Sequence, residues 1–130
     1  VLDEVYKAGM AEQQKVDAAR SMADKYGRPD YIVCDPAAAA VKGALRAAGF
    51  TVVNGRNDVL PGISEVQAML FHSESVKPKL TFDLTRCTQT VTHMEGYTWK
   101  DGGEKDEPIK EDDHGPDALR YMTYHLRYGV

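Results

Sequence analysis

The chain has 130 residues, of which 42% are hydrophobic and 28% are charged. This balance suits one globular domain with its own core, and no apolar run approaches the ~18 residues that a membrane-spanning helix needs. Acidic residues outnumber basic ones by 20 to 16, and the net charge of −4 argues against a protein that binds nucleic acid through bulk charge alone. An enzyme that uses carboxylates to bind metal is still compatible with this composition.

The first half of the chain alternates helical patterns with short apolar segments. A weak alternation predicts the end of a strand at residues 1–7, and apolar residues spaced by three and four predict a helix over 8–26. Residues 31–34 and 50–53 are short apolar runs of the kind found in parallel sheets. Because an alanine-rich helix is predicted between them, over 37–48, we expect a right-handed strand-helix-strand unit.

The middle of the chain predicts a helix that begins at Pro61 or Gly62 and ends near residue 72, followed by a strand at 79–82. Residues 84–95 carry conflicting signals. Their threonines and valine favour a strand, whereas apolar residues at intervals of three and four favour a helix. We predict the helix.

The end of the chain predicts an exposed loop or hairpin followed by a helix. Residues 97–111 are rich in charge and contain two glycines and a proline, without an apolar period. A final helix is predicted over 115–128, with Leu119, Met122 and Leu126 facing inward. Without an internal repeat or linker, the pattern predicts a single α/β domain over residues 1–130.

Two cysteines, Cys34 and Cys87, lie in apolar segments and form no Cys-x-x-Cys pair. We therefore expect neither a disulfide nor a zinc site. This cysteine usage is typical of a reducing compartment, so the cytoplasm is the expected location.

Asp35 is the first candidate site residue, because it directly follows the predicted strand at 31–34. Active sites of open parallel sheets form beyond the carboxyl ends of their strands. The structural alternative is that Asp35 caps the next helix, a position where aspartate is favoured.

The second candidate lies at residues 112–121, where the sequence is Asp-Asp-His-Gly-Pro-Asp-Ala-Leu-Arg-Tyr. His114 and Asp117 are three residues apart and would project from the same side of a helix. Oxygen ligands with an occasional imidazole suit Mg²⁺ or Mn²⁺. Acids at a helix N-terminus are also stabilised by the helix dipole, which is the structural alternative for Asp113 and Asp117.

Phosphodiester hydrolysis commonly uses two such ions about 4 Å apart, held by at least three acidic ligands. Asp35 and Asp117 would supply two of these ligands, and a third is not evident in the sequence.

The segment Asp-His-Gly-Pro-Asp-Ala-Leu-Arg-Tyr at 113–121 resembles the closing motif of phage terminase large subunits, Asp-His-x-x-Asp-Ala-Leu-Arg-Tyr. The Val-Leu-Asp-Glu-Val-Tyr segment at 1–6, the strand followed by Asp35-Pro36, and the Tyr-Thr-Trp segment at 97–99 are similar to that family in the same order. The resemblance therefore covers nearly the whole chain.

This resemblance implies a ribonuclease-H-like nuclease, a three-layer α/β domain with a mixed or parallel sheet flanked by helices. Such a domain binds two divalent ions, Mg²⁺ or Mn²⁺, and cuts concatemeric double-stranded viral DNA. By position, Asp35 matches the family's acid after the central strand and Asp117 its final acid, with Asp113 and His114 beside it as further metal ligands. The implied partners are DNA, an ATPase domain of the same polypeptide, a portal protein and a small terminase subunit.

The family's opening strand, which carries its first catalytic aspartate, has no counterpart in the chain. We therefore expect an N-terminally truncated domain that by itself cuts DNA weakly or not at all. We also expect a bare edge on the predicted strand at 31–34, and bare apolar edges favour self-association. Glu4 lies in a family-like segment and is not assigned as a ligand.

Contacts with DNA are expected from basic residues, although the same lysines would also serve solubility. The candidates are Arg56, Lys77, Lys79, Lys100, Lys105 and Lys110. Tyr97 and Trp99 could stack on a base or anchor their loop to the core.

Two other functions remain open from the sequence. One is a different ribonuclease-H-like nuclease, such as a Holliday-junction resolvase. The other is a non-catalytic interaction module whose acids only cap helices and solvate the surface.

Overall fold

The computed structural model describes residues 1–96 and 114–129. Within these ranges the chain is a mixed α/β protein, as predicted, and no helix is both long and apolar enough to cross a membrane. Its elements in order are α1 (Glu12–Tyr26), β1 (Ile32–Cys34), α2 (Ala39–Ala47), β2 (Val52–Asn54), α3 (Val59–Leu70), α4 (Thr88–Glu95) and α5 (His114–Tyr128). The loop predicted at 97–111 lies outside the described residues.

The strand-helix-strand unit is confirmed: β1 and β2 are parallel, and α2 connects them. The Ile32 N–H donates to the Thr51 carbonyl at 2.8 Å, and the Gly55 N–H donates to the Cys34 carbonyl at 2.7 Å. Because peptide groups alternate in direction along a strand, the N–H and C=O of Val33 face away from β2. Within the described ranges no other strand pairs with that edge.

The strands predicted at 1–7 and 79–82 are wrong, since neither segment forms a strand. The first two N–H groups of the second segment both donate to the Met69 carbonyl near the end of α3, at 2.8 and 2.9 Å. The ammonium of Val1 donates to the Thr81 carbonyl at 2.6 Å. The Asp83 N–H in turn donates to the Val1 carbonyl at 2.9 Å, so the two segments are held by a few hydrogen bonds without forming a strand.

Two apolar clusters form the core. The first packs α1 and α2 against the sheet, and its buried members are Val16, Leu45, Phe50 and Val52. The second packs α3 against α5 through Val66 and Leu119, together with Leu80. Helix α5 also contacts α4 and β1, so it lies between the two clusters.

The prediction for the inward face of α5 is confirmed at Leu119 and wrong at Leu126, whose side chain is 62% exposed. His125 is buried in its place, and its two ring nitrogens lie 3.0 Å from the carbonyls of Gly129 and Asn54. With 3.6 residues per turn, Leu119 and Leu126 lie near the same face of α5, so the exposure of Leu126 shows that this face is no longer covered near the end of the helix.

Candidate functional site

A cavity of about 540 Å³ lies between the end of β1 and the first half of α5. Tyr31, Val33 and Asp35 line it from the strand side. His114, Asp117 and Tyr121 line it from the helix side. The structure thus places three of the four predicted metal ligands on one cavity, at the carboxyl end of a parallel strand.

Asp35 is exposed and closes the turn between β1 and α2. Its Oδ1 accepts a hydrogen bond from the Ala37 N–H at 2.8 Å, and its carbonyl accepts one from the Ala38 N–H at 3.0 Å. Helix α2 begins at Ala39, and its N-cap residue is Ala38. Asp35 is therefore a turn residue at the cavity edge, not the helix cap of the structural alternative.

Asp117 lies in the first turn of α5, with its side chain 21% exposed. Its Oδ1 accepts a hydrogen bond from Nη2 of Arg120 at 3.1 Å. The Arg120 side chain is only 2% exposed, so the carboxylate is paired with a buried cation. We did not predict this pair, although a spacing of three residues on a helix is a known signal for one.

His114 is the first residue of α5 and is exposed. The centre of its ring lies 6.4 Å from the centre of the Tyr6 ring. His114 is therefore at the solvent side of the cavity. Asp113, the fourth predicted ligand, lies outside the described residues.

Tyr121 lines the same cavity, and the charges of both carboxylates affect the pKa of its hydroxyl. Burial raises the pKa of its hydroxyl, and the negative charges of Asp35 and Asp117 raise it further against the opposing effect of Arg120. Gly55 follows β2 and packs on the ring, so close that a Cβ there would lie 2.6 Å from two ring carbons. The raised pKa favours the neutral phenol of Tyr121, and the sequence did not indicate a tyrosine in this site.

The donor set fits a hydrated divalent ion. Mg²⁺ usually keeps several waters and takes only one or two protein carboxylates, which Asp35 and Asp117 could supply. Across residues 1–96 and 114–129, no three His, Cys, Asp or Glu side chains converge on a common metal position. These residues alone therefore do not form a centre with three acidic ligands.

Glu4 is engaged elsewhere, at the N-terminus of α4. Its carboxylate accepts hydrogen bonds from the Gln89 N–H at 2.7 Å and from the Thr90 N–H at 2.9 Å. The Thr90 hydroxyl donates a further one at 2.5 Å. Glu4 is thus a helix cap.

Arg56 is the best-defined of the predicted DNA contacts. Its side chain is 61% exposed and lies 3.3 Å from a carboxylate oxygen of Asp58. The guanidinium carbon of Arg56 also lies 5.5 Å from the ring centre of Tyr124. The rings of Tyr124 and Tyr128 pack together, with their centres 4.7 Å apart. Arg56 does not line the cavity.

The other predicted DNA contacts are less informative. Lys77 and Lys79 are exposed in the segment after α3. Lys100, Lys105 and Lys110 lie outside the described residues, as do Tyr97 and Trp99.

The fold is similar to part of the large terminase of a thermophilic bacteriophage. For one crystal form the TM-score is 0.74 at 24% identity, covering 92% of this chain and 29% of that chain. For the complex of the same protein with ATP-γ-S the TM-score is 0.76 at 26% identity, covering 92% and 30%. The chain therefore spans less than a third of the phage terminase chain.

No protein-family model and no curated protein matches the sequence. The resemblance to terminase large subunits is nevertheless confirmed by the structural match, which extends over nearly the whole chain.

Proposed function

We propose that this chain, whose fold matches part of a phage large terminase, is the nuclease domain of such a protein. In this proposal residues 1–130 form one ribonuclease-H-like domain, which cuts concatemeric double-stranded DNA with Mg²⁺ or Mn²⁺. The observation that carries the proposal is the shared cavity of Asp35 and Asp117. These acids are far apart in sequence and line one cavity at the carboxyl end of a parallel strand, where open parallel sheets commonly have their active sites.

A divalent ion held by these carboxylates would activate water and polarise the phosphodiester. The chain's own residues have distinct tasks around it. Asp35 and Asp117 bind the ion, and His114 at the solvent side of the cavity accepts or donates a proton. Because its pKa is raised, Tyr121 keeps its proton and donates a hydrogen bond to a phosphate oxygen.

DNA binding in this proposal depends on the ion and on basic residues of the chain. The site carboxylates repel phosphate unless a cation neutralises them. Arg56, with its exposed guanidinium, and the lysines at 79, 100 and 110 would contact the DNA backbone. The ATPase domain, the portal protein and the small terminase subunit would be partners of the whole terminase.

A non-catalytic interaction module is the second candidate. It is favoured by one observation: both cavity carboxylates already accept hydrogen bonds within the chain, Asp35 from Ala37 and Asp117 from Arg120. A Holliday-junction resolvase is less favoured, because the structural match is to a terminase.

Binding of Mn²⁺ to the 130-residue chain separates the two candidates. Electron paramagnetic resonance measures the free ion during a titration of the wild type, Asp35→Asn and Asp117→Asn. We expect saturable binding by the wild type, and affinity reduced by about tenfold or more in each variant, as for a lost metal ligand or its support. Asp24→Asn is the matched control, since Asp24 is exposed on α1 away from the cavity.

Equal Mn²⁺ affinity in all four proteins would contradict the nuclease proposal and favour the interaction module. In the complete terminase, Asp117→Asn should abolish cleavage of plasmid DNA while ATP hydrolysis continues. Continued cleavage would remove Asp117 from the site.

A further inference from the structure

We propose that Arg120 is a positioning residue, which orients the Asp117 carboxylate for cation binding, and that Gly62 on α3 gives Arg120 the space to do so. This inference rests on the proposed function, because it concerns the same cation site. It assigns a role to two residues that do not line the cavity themselves.

Arg120 is a buried cation with a single anionic partner among the described residues. Its side chain is 2% exposed, and Nη2 donates to Oδ1 of Asp117 at 3.1 Å. Its other two nitrogens, Nε and Nη1, have no hydrogen-bond acceptor there. A buried guanidinium is costly unless it is paired, so the bond to Asp117 is strongly favoured over solvent-exposed alternatives.

The surroundings of Arg120 leave its side chain little freedom. Its guanidinium carbon lies 4.9 Å from the ring centre of Tyr121. On the other side, a Cβ at Gly62 would lie 2.2 Å from Cγ and 2.7 Å from Cδ of Arg120. The stem of Arg120 therefore occupies the space that any side chain at position 62 would need.

The hydrogen bond from Arg120 uses one oxygen of Asp117 and restrains the rotation of the carboxylate. The second oxygen, Oδ2, accepts no hydrogen bond from the described residues, and in this proposal it binds a cation in the cavity that Asp117 lines. Groups that orient a metal ligand in this way commonly determine affinity nearly as strongly as the ligand itself.

The alternative is that Arg120 only neutralises Asp117. The two roles predict opposite effects when the guanidinium is displaced. Cation affinity falls if Arg120 positions the carboxylate. It rises if Arg120 merely competes with the cation for the negative charge.

Gly62→Ala tests the inference from outside the cavity, and Gly43→Ala is its matched control. Both glycines lie within helices, but a Cβ at Gly43 would meet nothing within 4 Å. We expect Gly62→Ala to weaken Mn²⁺ binding by about tenfold or more and Gly43→Ala to leave it unchanged. A folded Gly62→Ala chain with wild-type Mn²⁺ affinity would overturn the inference.

Arg120→Lys provides a second variant that keeps the positive charge and loses the planar fork of the guanidinium. We expect weaker Mn²⁺ binding here as well, with circular dichroism confirming that the chain is folded. Because the charge is retained, Mn²⁺ binding equal to or stronger than that of the wild type would mean that Arg120 acts only through its charge and would overturn the positioning role.

A measurement on the wild type remains informative even if both variants unfold. In an NMR titration with Mg²⁺, the Nε–H signal of Arg120 should shift over the same concentration range as the carboxyl carbon of Asp117. A constant Arg120 signal while Asp117 responds would overturn the inference.

The outcomes also separate this inference from the proposed function. If the wild type binds no Mn²⁺, the proposed function fails. If the wild type binds Mn²⁺ and both Gly62→Ala and Arg120→Lys bind it equally well, only the positioning role fails.

Discussion

Thr90 donates two hydrogen bonds to the carboxylate of Glu4, one from its backbone N–H at 2.9 Å and one from its hydroxyl at 2.5 Å. The Gln89 N–H donates a third at 2.7 Å. Cys87, the N-cap residue of α4, makes no side-chain cap bond. The N-terminus of this helix is therefore capped by a residue distant in sequence.

Glu4→Gln should destabilise the chain by about 1 kcal/mol at neutral pH, the usual contribution of a cap. Burial raises the pKa of Glu4, but the hydrogen bonds from Thr90 and Gln89 outweigh it, so the pKa lies below its ordinary 4.5. A lowered carboxyl pKa gives stability that is present above 4.5 and lost as the pH falls through the folded value. Urea unfolding at neutral and acidic pH should therefore show a difference that shrinks in acid.

Glu74→Gln is the control for this substitution, because Glu74 is exposed in the segment after α3. It should leave stability unchanged at both pH values. Equal stability of Glu4→Gln and the wild type at neutral pH would mean that the cap contributes nothing.

Gly55→Ala should destabilise the fold by about 1–3 kcal/mol, as other overpacking substitutions do. A Cβ at this position would lie 2.6 Å from Cγ and Cδ1 of Tyr121, so the ring or the turn after β2 must move. Thermal unfolding measures the loss. Gly43→Ala, which meets nothing within 4 Å, should be neutral or slightly stabilising. A loss of similar size in both variants would contradict the ring contact as the cause.

Arg56→Ala should weaken DNA binding by the complete terminase and reduce the slope of log affinity against log salt by about one. The reason is that its exposed guanidinium is proposed to neutralise one phosphate. Fluorescence anisotropy at several salt concentrations measures both quantities. Arg20→Ala is the control, since Arg20 is similarly exposed on α1 and also paired with an aspartate. An unchanged slope for Arg56→Ala would exclude the contact.

Within residues 1–96 and 114–129, no strand pairs with the outer edge of β1, and this edge predicts self-association of the chain, because an unpaired apolar strand edge recruits partners. Val33→Pro removes an N–H that faces away from β2 and should shift the chain toward monomer in light scattering at high concentration. Val53→Pro is the matched contrast. By the same alternation its N–H faces β1, so this variant should destabilise the sheet instead. A wild type that is monomeric at high concentration would contradict the prediction.

Local signals predicted much of this fold. The five described helices and the parallel strand pair follow from apolar spacing and from glycine and proline positions, although α4 begins at Thr88 and not at residue 84 as predicted. The two carboxylates of the cavity were found because one follows a strand and the other begins a helix. Both positions can be read without knowing the tertiary structure.

The features that the sequence did not indicate depend on contacts between distant segments. Residues 79–82 have the composition of a strand, yet two of their N–H groups donate hydrogen bonds to the carbonyl of Met69 and not to a neighbouring strand. Glu4 gives no local sign that it caps α4. Arg120 is the clearest case of such a contact. Arginine is almost never fully buried unless it is paired, and the space for the Arg120 side chain depends on Gly62 from another helix.

The contact between Gly62 and Arg120 has a consequence for protein engineering. Replacing a helical glycine by alanine is a standard way to raise thermal stability, and Gly43 in α2 is suited to it. At Gly62 the same replacement would place a Cβ against the side chain of Arg120, so we expect it to lower both thermal stability and cation binding. Thermostable variants of this domain should therefore accumulate changes in α2 while leaving position 62 untouched.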